Sequence, residues 1–207
     1  MVDPASFAIF VVAALVICVT PGPDMLYILT RGISQGTKAG LLSAVGMSLG
    51  MMCHTTLVVL GLAALLRSSS VAFDVLRYAG AAYLLVMAWH SLRDRSKSDL
   101  DADEQPALAP RRVLGQAVFT NLLNPKIVLF YLAFLPQFVR TSGGHPAVQL
   151  LVLGLTFVVL GLLVDCGVAL AAGRIGRFLK RRGGAQAWLN RVSGVVFIGL
   201  AARVALG

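Results

Sequence analysis

The sequence predicts an all-α integral membrane protein with six transmembrane helices arranged as two inverted three-helix repeats, the first and fourth helices being broken by proline. Three observations carry this. Of 207 residues, 57% are hydrophobic and only 13% charged, whereas a soluble domain carries about 25% charged residues. Several uncharged runs approach or exceed the roughly 20 residues needed to cross a bilayer, and the mean hydropathy is +0.82. Finally, two distant apolar segments are interrupted in the same way, at Val19-Thr20-Pro21-Gly22-Pro23-Asp24 and at Thr120-Asn121-Leu122-Leu123-Asn124-Pro125-Lys126. Each interruption puts one charge inside an otherwise uncharged segment. Paired, Pro-interrupted segments in corresponding halves of a membrane chain point to a binding site at their meeting place.

The spans are expected at 5–30, 40–66, 71–92, 113–139, 147–172 and 188–206. The second and fifth are continuous. The third begins among Asp74 and Arg77, and the sixth carries Arg203 near its end, where the side chain has to snorkel to the interface. Basic residues set the orientation. Arg31 and Lys38 fall in the first loop, Arg93, Arg95, Lys97, Arg111 and Arg112 in the third, and Arg174, Arg177, Lys180, Arg181, Arg182 and Arg191 in the fifth. The opposite side holds Arg67, Arg77, Arg140 and Arg203. The positive-inside rule then makes the odd loops cytoplasmic and puts both termini outside. Trp89 and Trp188 flank cytoplasmic loops, as interfacial anchors do. The polar, mixed-charge stretch 93–112 is a mobile linker between two halves, 1–92 and 113–207, which three spans each force into inverted orientations.

The net charge of +9 does not indicate nucleic acid, because the basic residues lie between apolar runs. The basic fifth loop, 173–191, is expected at the lipid surface, where anionic head groups attract it. Cys18, Cys53 and Cys166 all lie in apolar segments without metal-ligand spacing, and are read as small packing residues. Asp3 stands where a secretory signal would carry basic residues, so no cleavable signal is expected. Gly46-Met47-Ser48-Leu49-Gly50 is a GxxxG motif, which brings helix backbones close in lipid. It serves either intrachain packing or a homodimer through Gly46 and Gly50.

The chemistry lies at the breaks. Proline has no N–H and clashes with the carbonyl four residues back. Pro21 and Pro23 therefore free the carbonyls of Ile17 and Val19, and Pro125 frees that of Asn121. Asn124-Pro125 reads as an N-cap followed by proline at the first helical position, and Gly22-Pro23 as a weaker version. Each segment stops, turns and restarts, and the positive ends of the restarted helices suit a carboxylate. Asp24 is expected in a first turn, where the dipole favours its charge. Lys126 is expected in another, where the dipole disfavours its charge, so it needs an acidic partner or titrates readily. His54 and Asp165 are further ionisable residues deep in spans. Asp165 is a candidate partner for Lys126 or carrier of a coupling proton, and His54 either joins them or packs as a neutral histidine.

At these residues the chain resembles the LysE/RhtB family of bacterial amino-acid exporters. The similarity rests on Thr20-Pro21-Gly22-Pro23-Asp24 and on Asn124-Pro125-Lys126 through Phe134-Leu135-Pro136-Gln137-Phe138, and spans nearly the whole chain. It implies a transporter rather than an enzyme, in the bacterial inner membrane, expelling amino acids or related metabolites. It also implies that an ion gradient, proton or sodium, drives export without a bound cofactor. By position it points to Pro21, Gly22, Pro23, Asp24, Asn124, Pro125 and Lys126, with Asn121 beside them.

The leading expectation is proton antiport of a zwitterionic amino acid. Its carboxylate would meet the half-helix ends and Lys126, and its ammonium would meet Asp24 and the freed carbonyls. A metal-ion exporter is an alternative built on Cys53, His54 and Asp165, although no ligand spacing joins them. A membrane thiol relay is another. It needs one cysteine at each break, and Cys18 has no counterpart at the second.

Overall fold

The computed structural model describes residues 3–62, 107–140 and 145–181, together with scattered residues between 75 and 93 and between 191 and 202. Most of the expected third and sixth spans, most of the 93–112 linker, and Trp188 lie outside the described residues. The remaining expected spans are all helical.

The first span is two helices. α1 (Pro4–Val19) starts at Asp3, whose side chain accepts the Ser6 N–H at 3.1 Å. That bond, with the Ser6 hydroxyl at 3.2 Å, holds the Asp3 carboxyl below the usual range. α2 (Pro23–Ser34) restarts after Pro21-Gly22 at an angle of 51°. Gly36 has φ +85°, a conformation that favours glycine, and turns the chain into α3 (Thr37–Leu57), which continues as a π-helical turn over Val58–Leu62. α2 extends past the expected end of the span. Arg31 is therefore not a loop residue but sits buried in the last turn of α2, with Nη1 3.1 Å from Gln35 Oε1.

The segment expected as the fourth span repeats the pattern. α4 (Pro110–Leu122) stops, and α5 (Pro125–Leu129) restarts, running on through a π turn (Phe130–Phe134) and a 3₁₀ turn (Leu135–Phe138). The bend is 48°. α6 (Pro146–Arg181) is a single helix of 36 residues, about 54 Å at 1.5 Å per residue, well beyond a hydrocarbon core of about 30 Å. The basic stretch from Arg174 to Arg181, expected as loop, is helix instead. It contains no proline, and Arg, Leu and Lys are good helix formers.

α3 and α6 form the centre, and small residues let the backbones approach. A Cβ on Gly46 would lie 2.5 Å from Ala117 Cβ and 2.8 Å from the Leu114 carbonyl, and one on Gly50 would lie 2.6 Å from Asn121 Oδ1. One on Gly154 would lie 2.5 Å from Thr55 Cγ2, and one on Gly161 2.6 Å from Met51 Cε. This settles the GxxxG motif. Gly46 and Gly50 are buried against α4 of the same chain, so that face is not open to a second copy. Phe10, Phe130, Phe134, Phe138 and Phe157 are fully buried in one aromatic cluster, with the Phe130 and Phe157 centroids 4.2 Å apart. Outward-facing residues are large and apolar, among them Val12, Leu60, Phe119, Leu123, Val159 and Leu163. An apolar exterior of this extent fits a lipid environment. Cys53 belongs to that exterior rather than to the packed interior expected for it.

Gly46→Leu is expected to destabilise the fold by about 1–3 kcal/mol through overpacking. Gly115→Ala, which meets nothing within 4 Å, should be neutral or stabilising by up to about 1 kcal/mol. Thermal unfolding of the two detergent-purified variants checks the contrast.

Candidate functional site

The two breaks differ in how they satisfy their own backbone. At the second, Asn124 caps α5 by accepting the Lys126 N–H on Oδ1 at 3.0 Å. The Asn121 carbonyl, displaced by Pro125, is taken up locally by the Asn124 N–H at 3.0 Å. The first break has fewer local donors, because neither Pro21 nor Pro23 carries an N–H and only Gly22 between them does. Thr20 turns back on its own helix, its N–H and hydroxyl both reaching the Val16 carbonyl, at 3.0 and 2.7 Å. The last carbonyls of α1 must find a donor elsewhere.

Lys126 supplies it. Its ammonium donates to the carbonyl of Ile17 at 3.1 Å and to that of Thr20 at 2.9 Å. The freed Ile17 carbonyl is thus used as the proline pattern predicts, but Thr20, not Val19, provides the second oxygen. Lys126 begins the first turn of α5, where the helix dipole opposes its charge. Its ammonium instead reaches the C-terminal end of α1, where the dipole favours a cation. Gly22 makes room, since a Cβ there would lie 3.3 Å from Nζ. Its backbone is extended, with φ −168°, so what matters at Gly22 is space, not conformational freedom.

Asp24 makes the reciprocal contact. It lies in the first turn of α2, 5% exposed, and Oδ2 accepts a hydrogen bond from Asn121 Nδ2 at 2.7 Å. The Asn121 amide fits because Gly50 of α3 has no side chain. Each break therefore sends a side chain to the other. No direct salt bridge joins Asp24 and Lys126, since the ammonium goes to carbonyls. Asp24 Oδ1 and Asn124 Nδ2 are buried and, among the described residues, have no hydrogen bond of good geometry, although the two side chains lie close enough to interact with each other.

The other expected residues gather at the same place. Asp165 of α6 is 6% exposed, makes no hydrogen bond to a described residue, and lies within electrostatic range of both Lys126 and Asp24. It does not pair directly with Lys126. His54 of α3 lies in range of Asp24 and of the Asn121 backbone, stacks on Tyr131 with centroids 5.4 Å apart, and among the described residues leaves Nε2 without a well-formed hydrogen bond. Tyr131 in turn shares a 2.9 Å hydrogen bond with Thr55. Among the described residues, no three His, Cys, Asp or Glu side chains group as a metal site.

Sequence reasoning missed the ties between α2 and α4. Tyr27 Oη donates to the Val113 carbonyl at 3.0 Å and lies 3.2 Å from Gln116 Oε1, and Gln35 Nε2 donates to the Leu108 carbonyl at 3.0 Å. A polar tip on an apolar helix face at Tyr27 was the available signal. It pairs with residues far along the chain, which spacing alone does not reveal.

A membrane protein that brings two broken helices together around a buried carboxylate and a buried ammonium has the arrangement of a translocator, with a polar place inside an apolar body. The chain belongs to the LysE type translocator family, whose model matches residues 15–207. It is 32% identical over 203 residues to a leucine efflux protein of Klebsiella pneumoniae, covering 97% of this chain and 94% of that one. It is 30% identical over 204 residues to a leucine efflux protein of an Enterobacter strain, covering 97% and 95%. Similarity to a homoserine/homoserine lactone efflux protein of Salmonella typhi is 32% over 189 residues, covering 91% and 90%. No solved structure matches the chain.

The Asp24–Asn121 contact should be energetically coupled. A double-mutant cycle with Asp24→Ala and Asn121→Ala, read by unfolding, is expected to give about 1.5–3 kcal/mol, the range for hydrogen bonds to charged groups. A coupling near zero would show that the two side chains act independently.

Proposed function

We propose that the protein is a secondary active exporter of small neutral amino acids or closely related metabolites across the bacterial inner membrane, driven by proton antiport. The observation that carries this is the set of unfilled hydrogen-bonding positions at the breaks. Asp24 Oδ1, an acceptor, and Asn124 Nδ2, a donor, lie close to each other without a well-formed bond between them, so each can turn to a cargo placed at the junction, and an ammonium with two of its three N–H groups committed, that of Lys126, offers another donor. Buried orphan polar atoms are rare and cost about 1–3 kcal/mol each. An acceptor on a carboxylate and donors beside an ammonium match the two ends of a zwitterion. In this reading the cargo's ammonium meets Asp24, and its carboxylate meets Lys126 and Asn124.

The relatives' printed names, leucine and homoserine/homoserine lactone efflux, support an uncharged side chain and the outward direction. Coupling follows if a proton and the cargo's ammonium compete for Asp24, with His54 and Asp165 as neighbouring places for that proton. The matched bends of 51° and 48° support two inverted three-helix repeats rocking about this place. The distribution of Lys and Arg supports cytoplasmic odd loops and external termini. The metal-ion reading gains no support from the residues that meet here.

Efflux from cells preloaded with a panel of dipeptides tests the reading. Cells expressing the protein should lose one class of neutral amino acid, leucine first, faster than empty-vector cells. Asp24→Asn, at equal membrane abundance, should reduce that rate about tenfold or more, corresponding to ~1.4 kcal/mol or more of lost interaction. Undiminished efflux from the variant would remove Asp24 from the site. Separately, alkaline phosphatase fused within 93–112 should be inactive and fused after residue 207 active, and the reverse pattern would invert the orientation.

A further inference from the structure

We propose that the carbonyls of Ile17 and Thr20 form a seat for one monovalent cation, which Lys126 fills from the second break as a tethered ammonium. The two oxygens converge on a single point, 3.1 and 2.9 Å from Nζ. They end α1, a helix of 16 residues, so its dipole adds negative potential there. Pro21 and Pro23 cannot donate to them, and Gly22 leaves the approach open. Neutral carbonyl oxygens at a helix C-terminus are hard ligands of the kind that hold sodium or a primary ammonium in broken transmembrane helices.

The occupant is removable. Lysine is a compact charge on a flexible four-carbon stem, and here the stem crosses from another segment rather than belonging to α1. When it withdraws, the seat keeps its two oxygens, with the carboxyls of Asp24 and Asp165 still within electrostatic range. The seat is read from geometry. Its role in transport, as the place that Lys126 leaves when it turns toward the cargo's carboxylate, rests on the export reading above.

Two substitutions empty the seat to different depths. Lys126→Ala removes the last three carbons and the nitrogen, a space matching propylammonium. Lys126→Met keeps most of the stem and vacates the nitrogen's position, a space matching ammonium or sodium. Full-length wild type and both variants are purified in detergent and unfolded thermally in chloride salts of choline, sodium, ammonium and propylammonium at equal ionic strength. Choline, bulky and without N–H, is the reference. The expected result is that propylammonium raises the Lys126→Ala midpoint by about 5–10 °C at a hundredfold excess over its dissociation constant. Ammonium or sodium should do the same for Lys126→Met, with the wild type unchanged. Responses no larger than the wild type's in both variants would overturn the proposal. So would propylammonium stabilising both variants equally, or variants that stay unfolded in every salt. The readout does not involve cargo, so a failed efflux experiment and a failed seat are separate results.

Discussion

The ammonium of Lys126 resting on the end of α1 is the interaction on which the rest of the site depends. A Pro-Gly-Pro interruption strands carbonyls inside an apolar body and removes two of the three local N–H groups that could serve them. A buried ammonium is equally costly without acceptors. Each defect is the remedy for the other, and the bonds at 3.1 and 2.9 Å join segments 109 and 106 residues apart. The Asp24–Asn121 bond repeats the exchange in the opposite direction. Two breaks that would each be unfavourable alone become one polar junction.

That junction requires close backbones, and α3 provides them. Gly46 and Gly50 bring α4 against it, and Gly50 leaves the volume that the Asn121 amide occupies. Gly154 and Gly161 bring α6 against Thr55 and Met51, which places Asp165 near the same charges. In lipid there is no hydrophobic drive for helices to associate, so close packing of small residues has to supply it. The glycines thus act on the junction indirectly, by setting the distance at which Asn121 meets Asp24.

The surroundings of the junction differ from one side to the other. Toward the start of α1, the packing is a dry cluster of Phe10, Phe130, Phe138 and Phe157. Toward the end of α2, it is a few polar ties, Tyr27 to Val113 and Gln35 to Leu108. The two sides are thus held by different means, ring packing on one and a few hydrogen bonds on the other.

Much of the local structure was legible in the sequence, because proline and capping chemistry are local. Pro21, Pro23 and Pro125 fix where the helices stop, Asn124 fixes where α5 restarts, and the lack of charge fixes which stretches lie in lipid. The sequence also placed Asp24 and Lys126 in first turns. What it could not decide is which side chain reaches which break. Apolar helices in lipid look alike on the face toward lipid and the face toward protein, so hydrophobic pattern does not assign Gly46 and Gly50 to α4, Cys53 to the exterior or Tyr27 to Val113. Nor does local pattern show that Lys126 escapes the unfavourable end of its own helix by reaching the favourable end of another. Those outcomes depend on distances between segments far apart in the chain, and only the packed tertiary structure sets them.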